Sequence, residues 1–338
     1  MRGIVCAEIG RFAFMHDLPE PAPAAGCAVV TIKRIGICGT DLHAYRGRQP
    51  FFTYPRILGH ELSGIIEKIG PNEEGLRVGD RVGVIPYMHC GTCIACRGGK
   101  TNCCTDMKVL GVHIDGGMRE RISVPVSHLI AANELMLDQA AMLEPFAIGA
   151  HAVRRSGLAA GETALVIGGG PIGLGVMAFA KSRGAKVVAM DVNEDRLAFS
   201  RDWAGIDDTV DALSDPLGRL LAVNGGELPS VVFDATGNAQ SMSAAFAYTA
   251  HGGRLVYVGL VSADIQFHDP EFHKRELTLM GSRNATREDF ERVMEVMASG
   301  AIDVDRYITH RADFGDMIGR FEDWLKPESK VIKAVVTL

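Results

Sequence analysis

Two groups of residues in this chain have the types and spacing to hold metal, and a third can cradle a dinucleotide. Cys90, Cys93, Cys96 and Cys104 stand in one run, CGTCIACRGGKTNCC, separated by two, two and seven residues. Four thiolates so close along the chain suffice for a closed tetrahedral zinc site. With every position filled, such a metal has no room for substrate and is structural. Disulfides and a redox pair are the competing readings; the first suits an oxidising compartment, and the second has no use for a third and fourth sulfur. Upstream, GICGTDLH supplies a thiolate (Cys38), a hydroxyl (Thr40), a carboxylate (Asp41) and an imidazole (His43), and GHE adds His60 and Glu61. Each alone reads as core filler or a satisfied polar side chain. Together they shift that balance toward a second, open metal site.

The run VIGGGPIG places G-x-G-x-x-G between an apolar strand and an apolar helix. Gly168 permits the tight turn, Gly170 lets backbone approach a pyrophosphate, and Gly173 lets the helix pack close to the strand. Pro171 and Ile172 open that helix, whose free N–H groups and positive dipole face the phosphates. A second strand ends at Asp191, where a carboxylate accepts both ribose hydroxyls and repels a 2′-phosphate, so NAD is favoured over NADP. Arg196, five residues on, either stacks on adenine or pairs with the extra phosphate of NADP. Asp234, Thr236 and Gly237 end another strand, where a cofactor-lining role and ordinary turn chemistry explain them equally. A glycine-rich turn without any nucleotide is the bland alternative for the whole motif.

The elements around these residues change character along the chain. Residues 1–127 read as short β-rich runs (28–35, 61–69, 81–85 and 118–124) broken by Gly, Pro and Asp. The stretch DQAAMLEPFAIGAHAVRRSG then has apolar positions at helical spacing. Beyond it ETALVIGGG, AKVVAMDV, LPSVVFDATG and GGRLVYVGL alternate with helical stretches such as PIGLGVMAFAKSRG and NEDRLAFSRDWAG, which predicts βαβ units and a parallel sheet. A helix over 287–299 follows, and the closing VIKAVVTL has the pattern of a strand that returns to the first sheet. The expected division is therefore a β-rich domain of residues 1–149 and 285–338 and a dinucleotide domain of residues 150–284.

Bulk properties agree. A chain of 338 residues exceeds the size at which single cores stop growing, so two domains are expected. Its net charge of −6 lies without blocks along the chain, which disfavours nucleic acid and anionic membrane as partners and leaves small molecules. The opening MRGIVCAEIG has no apolar segment after a basic start, and no apolar stretch reaches spanning length, so a cytoplasmic protein is expected.

GICGTDLH, GHELSG, the four-cysteine run, LEPFAIGAHA and GGGPIGLG together resemble the zinc-containing medium-chain dehydrogenase family. The likeness extends from Cys6 to Leu338 and implies an α/β two-domain protein, a GroES-like catalytic domain plus a Rossmann doubly wound parallel sheet. It implies two zinc ions per subunit, one structural and one catalytic, with NAD and a homodimer or homotetramer. The spacing within this family leaves Cys103 a bystander beside Cys104. His60-Glu61 and Glu144 look like the sorbitol, threonine and sugar-acid branch, where the third protein ligand is a carboxylate; Cys38 and His60 carry over to zinc, with Glu61 and Glu144 competing for the third place. RQPFFTYPRILGHE, GKTNCC, GVHIDGG and DPEFHKRELTLMGSRNAT further resemble dehydrogenases acting at C5 of L-galactonate or L-gulonate, with polyol and L-idonate dehydrogenases as alternatives.

The resemblance implies that an open zinc position favours loss of the substrate hydroxyl proton, which leaves through Thr40, the nicotinamide ribose and His43 while hydride passes to nicotinamide C4. Asp41 is expected to orient His60 and fix its tautomer. An ordinary polar turn is the plain reading of Thr40, Asp41 and His43. A sugar acid needs its carboxylate held, and Arg48, His113, Arg119, Lys274 and Arg283 are the candidates, since guanidinium and imidazolium groups suit carboxylates. Departures from the family pattern are Glu73 at a surface turn and Arg121 after Glu120. A non-catalytic nucleotide-binding protein on the same scaffold is the rival from another class; Cys38, His60 and both carboxylates speak against it.

Overall fold

The β-branched run Cys27–Ile37 is the spine of the first unit, its apolar positions buried along most of its length. The computed structural model describes residues 1–22, 24–49 and 52–338 of the chain. Within it, Cys27–Ile37 pairs antiparallel with Glu61–Ile69, with Lys333–Thr337 and, through its first half, with Arg121–Pro125. Arg81–Val84 and Leu129–Ala131 extend the sheet beyond Glu61–Ile69, and Ile308–Asp313 pairs parallel to Lys333–Thr337 at the opposite edge. The strand expected over 118–124 joins this ladder only from Arg121. Met118 is occupied elsewhere: its N–H donates to the Leu58 carbonyl at 2.9 Å and its carbonyl accepts from Ile4 at 2.8 Å. The core beneath the sheet gathers Ile4, Val30, Ile32, Ile35, Leu58, Leu62, Ile66, Val82, Val124, Phe321 and Val336, all nearly or wholly buried. The closing strand thus returns to the first sheet, as VIKAVVTL suggests.

In the second unit six parallel strands run in the order Asp208–Asp211, Lys186–Asp191, Thr163–Ile167, Val231–Asp234, Arg254–Tyr257, Thr278–Gly281. The chain therefore adds strands to one side of Thr163–Ile167 first and then, from Val231–Asp234 onward, to the other. Ligands of such sheets bind at that switch point, outside the carboxyl ends of the strands. Leu165, Val188, Met190, Val232 and Leu255 fill the core, the near-continuous apolar strands that a sheet covered on both faces requires.

The division between units corrects the expected boundaries. The first unit is Met1–Glu144 with Val304–Leu338, and the second is Pro145–Asp303. The helix Arg287–Ala298, expected to belong with the tail, sits in the second unit for two reasons. It buries Phe290, Val293, Val296 and Met297. It also carries Asp289, 1% exposed, whose carboxylate accepts from His151 Nδ1 at 2.8 Å and from Arg154 at 2.7 and 3.0 Å. No helix among the described residues is long and apolar enough to cross a membrane.

Candidate functional site

The four-cysteine lobe is held by backbone as much as by sulfur. Cys93 caps the short helix Ile94–Arg97, its Sγ accepting from the Cys96 N–H at 3.5 Å. Cys93 N–H donates to Cys90 Sγ at 3.4 Å, and the N–H groups of Cys90 and Asp106 donate to Cys104 Sγ at 3.3 Å. All four sulfurs lie within 4.8 Å of one another and none is in a disulfide. Such N–H donors favour thiolate. Those from Cys96 and Thr105 bring Cys93 down to about 5, and those around Thr92 and Cys93 lower Cys90. Burial and shared protons push Cys96 up to about 12. Four sulfurs this close, with N–H donors favouring thiolate, make a pocket suited to a cation. Cys103 is exposed and outside this set.

The upstream cluster is assembled from distant pieces. Cys38 precedes the helix Gly39–Tyr45, His60 precedes the strand Glu61–Ile69, and Glu61 begins it. One ligand atom from each of Cys38, His60 and Glu61 falls within 4.8 Å of the others. His60 is buried, and its Nδ1 has no hydrogen-bond partner among the described residues. A thiol, a buried imidazole and a buried carboxylate converging at one point are a donor set that fits a borderline metal such as zinc. Room for the Glu61 carboxylate depends on Gly36, its register partner: a Cβ there would stand 2.0 Å from Glu61 Oε2.

Glu144 is buried nearby but belongs to a different contact set, its carboxylate accepting from the Tyr87 hydroxyl. Burial raises its pKa, and His60 pulls it back, which marks the two as electrostatic neighbours. Burial would push His60 down, yet Cys38, Asp41 and Glu144 push it up further. Glu61, in contrast, is clamped by Lys333, whose Nζ donates to its two oxygens at 2.6 and 2.9 Å. Neither Tyr87 nor Lys333 is among the residues singled out from the sequence. A lysine inside the apolar run VIKAVVTL is the signal for the latter, because an interior strand position rarely holds an unpaired charge.

Asp41 does not orient His60 by a hydrogen bond; the closest approach, Oδ1 to Nδ1, is 3.9 Å. Its oxygens instead accept from the N–H groups of Cys38 at 2.9 Å and Gly59 at 3.4 Å. A fully buried carboxylate finds backbone donors at the start of the helix it sits on, and so ties the Cys38 turn to the residue before His60. Thr40 is half-buried on the same helix and His43 is exposed. Partial desolvation, with Arg48 and Arg46 close by, holds the His43 imidazole below its usual range.

In the second unit Gly168, at φ +102°, turns the chain out of the central strand beside Thr236. Gly173 is sterically obligatory, since a Cβ there would stand 1.8 Å from the Gly168 carbonyl oxygen. Gly170 caps the helix Pro171–Ser182, with Pro171 at its first turn. Asp191 is buried at its strand end, accepting from the N–H groups of Gly169 at 2.6 Å and Asn193 at 2.9 Å. Thr236 is bound by N–H and hydroxyl to Asp234 at 2.9 and 2.7 Å, and Arg196 is exposed on the next helix.

The candidates for the substrate carboxylate scatter. In the first unit Arg48 is exposed, and His113 Nδ1 is occupied by the Val109 N–H at 3.1 Å. Arg119 is half-buried beside Asp115, with its Nε unpartnered among the described residues. In the second unit Lys274, its side chain 64% exposed, pairs with Glu271 one turn away, and Arg283 is exposed.

Two family models match this chain: the alcohol dehydrogenase GroES-like domain over residues 24–134 and the zinc-binding dehydrogenase over residues 171–299. The chain belongs to the zinc-binding dehydrogenase family. It is an oxidoreductase of the alcohol dehydrogenase type; the first model spans the lobe and the Cys38–His60–Glu61 cluster, and the second begins at Pro171, at the helix that follows Gly168 and Gly170. Among its relatives, L-galactonate-5-dehydrogenase of Escherichia coli K12 is 46% identical over 94% of this chain and 93% of its own length. L-idonate 5-dehydrogenase of Vitis vinifera is 33% identical over 84% of this chain and 80% of its own. The crystal structure of rspB from E. coli CFT073, complexed with NADH, superposes with a TM-score of 0.92 at 31% identity, covering 100% of this dehydrogenase and 99% of that chain.

Proposed function

We propose that this dehydrogenase oxidises a secondary alcohol on a sugar acid with NAD, acting at C5 of L-galactonate or L-gulonate to give the 5-keto-aldonate. The observation that carries the chemistry is the approach of one ligand atom each from Cys38, His60 and Glu61 within 4.8 Å, with His60 and Glu61 buried. The substrate rests on the likeness to the L-galactonate enzyme. Cys38 and His60 hold the zinc, with Glu61 or Glu144 as third ligand. When bound, zinc draws electron density from the alcohol oxygen and the oxidised nicotinamide takes the hydride.

The chain's own residues then do the rest. Asp41 fixes the backbone on which Cys38 and His60 sit. Thr40 passes the departing proton toward His43, which is exposed and, with its pKa held down, neutral and ready to accept it at pH 7. Asp191 turns its carboxylate to the adenosine ribose and repels a 2′-phosphate, which selects NAD. Arg283, Arg119 and Arg48 remain the groups for the substrate carboxylate.

One observation favours a second reading, a neutral polyol such as sorbitol, xylitol or a butanediol: His113 and Lys274 are already engaged within the protein. An NADH-production screen over C5 and C6 aldonates and polyols, with and without chelator, separates the two. The expected result is chelator-sensitive turnover with kcat/KM highest on an aldonate. Preference for a neutral polyol transfers the assignment to the second reading, and chelator-resistant turnover removes zinc from it.

A further inference from the structure

The residue before His60 is gripped from two sides. From one, Asp41 Oδ1 accepts the Gly59 N–H at 3.4 Å. From the other, residues 116–118 take the three carbonyls that lead up to His60. The N–H groups of Gly116, Met118 and Gly117 donate to the carbonyls of Ile57, Leu58 and Gly59 at 2.7, 2.9 and 2.9 Å. Asp115 adds a side-chain pin, its Oδ1 accepting the Ile57 N–H at 3.1 Å. These donors sit on a loop that closes on itself: Gly111 N–H donates to the Ile114 carbonyl at 2.8 Å, and Val109 N–H to His113 Nδ1 at 3.1 Å.

Backbone meets backbone here with no space for a side chain. A Cβ on Gly116 would stand 2.3 Å from the Gly59 carbonyl oxygen and 2.6 Å from that of Leu58, and a Cβ on Gly111 would stand 2.7 Å from the Gly59 nitrogen. Backbone atoms cannot turn aside as a side-chain tip does, so either substitution displaces the turn that carries His60. Gly117 differs, because a Cβ there meets the end of the Leu62 side chain at 2.4 Å, which yields at a cost in packing. Asp41 comes no closer than 3.9 Å to His60 Nδ1, so a tilt of the Gly59 peptide is not corrected by a hydrogen bond from that carboxylate to the ring. We infer that Gly111, Asp115 and Gly116 are positioning residues of the metal site: loop 109–118 fixes the turn before His60, and with it the place of the imidazole beside Cys38 and Glu61. This rests on reading Cys38, His60 and a carboxylate as the catalytic zinc site.

The test follows zinc release from the parent chain, Gly116→Ala, Gly117→Ala, Asp115→Ala and Asp115→Asn at increasing chelator concentration. The release phase that Cys38→Ser lacks belongs to the upstream site, and the remaining phase to the lobe. Partners behind a metal's ligands govern affinity by about tenfold to a hundredfold, so Gly116→Ala should lower the upstream midpoint at least tenfold and leave the lobe phase in place. Gly117→Ala should lose Tm and keep the parent midpoint. Asp115→Ala, which gives up one hydrogen bond, should lower the upstream midpoint by about threefold or more. Asp115→Asn retains the acceptor for the Ile57 N–H and should restore it. If Gly116→Ala is not recovered folded, the two Asp115 variants decide. An unmoved upstream midpoint in Gly116→Ala or Asp115→Ala, a Gly117→Ala displaced as far as Gly116→Ala, or an Asp115→Asn no better than Asp115→Ala overturns the inference. Parent protein with zinc in the lobe alone fails the reading of the site, and the inference with it, and metal analysis tells this apart before any variant is made.

Discussion

The lobe and the upstream cluster solve the same problem in opposite ways. In the lobe four sulfurs come from one short run, and each of Cys90, Cys93 and Cys104 accepts an N–H bond from the same run, so the ligands are positioned locally. In the upstream cluster Cys38 and His60 are placed by Asp41, Glu61 is placed by Lys333, and Glu144 is placed by Tyr87. Only Cys38 has its partner close by in sequence; the turn before His60, Glu144 and Glu61 depend on partners 18, 57 and 272 residues away. The lobe is chemically closed, with like ligands. The cluster mixes a thiol, an imidazole and two carboxylates with unequal partners, which leaves freedom for a substrate oxygen. Like ligands from one run need only local turns, whereas a thiol, an imidazole and a carboxylate from separate runs are brought within the same 4.8 Å by the sheet.

Substitution can break that contrast. The largest effect is expected at His60: His60→Ala should lower kcat by about a thousandfold or more, several kcal/mol of charge stabilisation being lost, with thermal stability little changed. Cys93→Ser should do the reverse, costing lobe zinc and several degrees of Tm while the folded fraction keeps kcat within about tenfold of the parent. Equal kcat losses in both would erase the division of labour. Smaller, and confined to the second unit, is Asp191→Ser. Removing a charged acceptor is worth about 1.5 to 3 kcal/mol, so kcat/KM for NAD should fall roughly tenfold to hundredfold and the preference against NADP should shrink. An unchanged cofactor ratio would take Asp191 out of cofactor choice.

A stability effect comes next. Burial pushes the Asp289 carboxyl up, but His151, Arg154 and the Thr286 N–H more than compensate, so it is held well below the usual range. A depressed carboxyl stabilises the fold above its unfolded pKa of about 3.9 and loses that contribution as pH falls through the folded value. Asp289→Asn should therefore cost about 3 kcal/mol or less at pH 7, reduced because the Arg154 side chain is 35% exposed. Urea titrations of the two proteins should converge below pH 4. The smallest effect is expected at Lys274→Ala, which removes only an exposed pair and should leave stability within about 0.5 kcal/mol and KM unchanged. A raised KM for a sugar acid alone would restore Lys274 as a carboxylate contact.

Local pattern explains which parts were readable in advance. The four cysteines, the glycine loop and Asp191 each declare themselves within one run, and their neighbours in space are their neighbours in sequence. The alternation of apolar strands and helices likewise yields the parallel sheet. Tyr87 and Lys333 carry no motif, because their partners lie far away in sequence, Glu144 for the one and Glu61 for the other. The same holds for Asp41, whose short side chain beside backbone N–H groups is spent on them and not on His60. The boundary at Asp303 was out of reach for a related reason: nothing in the helix Arg287–Ala298 itself tells that Asp289 will meet His151 and Arg154.

Metal analysis of the parent chain and of Cys38→Ser tests the central claim most directly. Two zinc ions per chain in active parent protein, falling to one in Cys38→Ser together with loss of turnover, is the predicted result. Fully active parent protein with a single zinc, or Cys38→Ser that keeps both ions and its turnover, would contradict it.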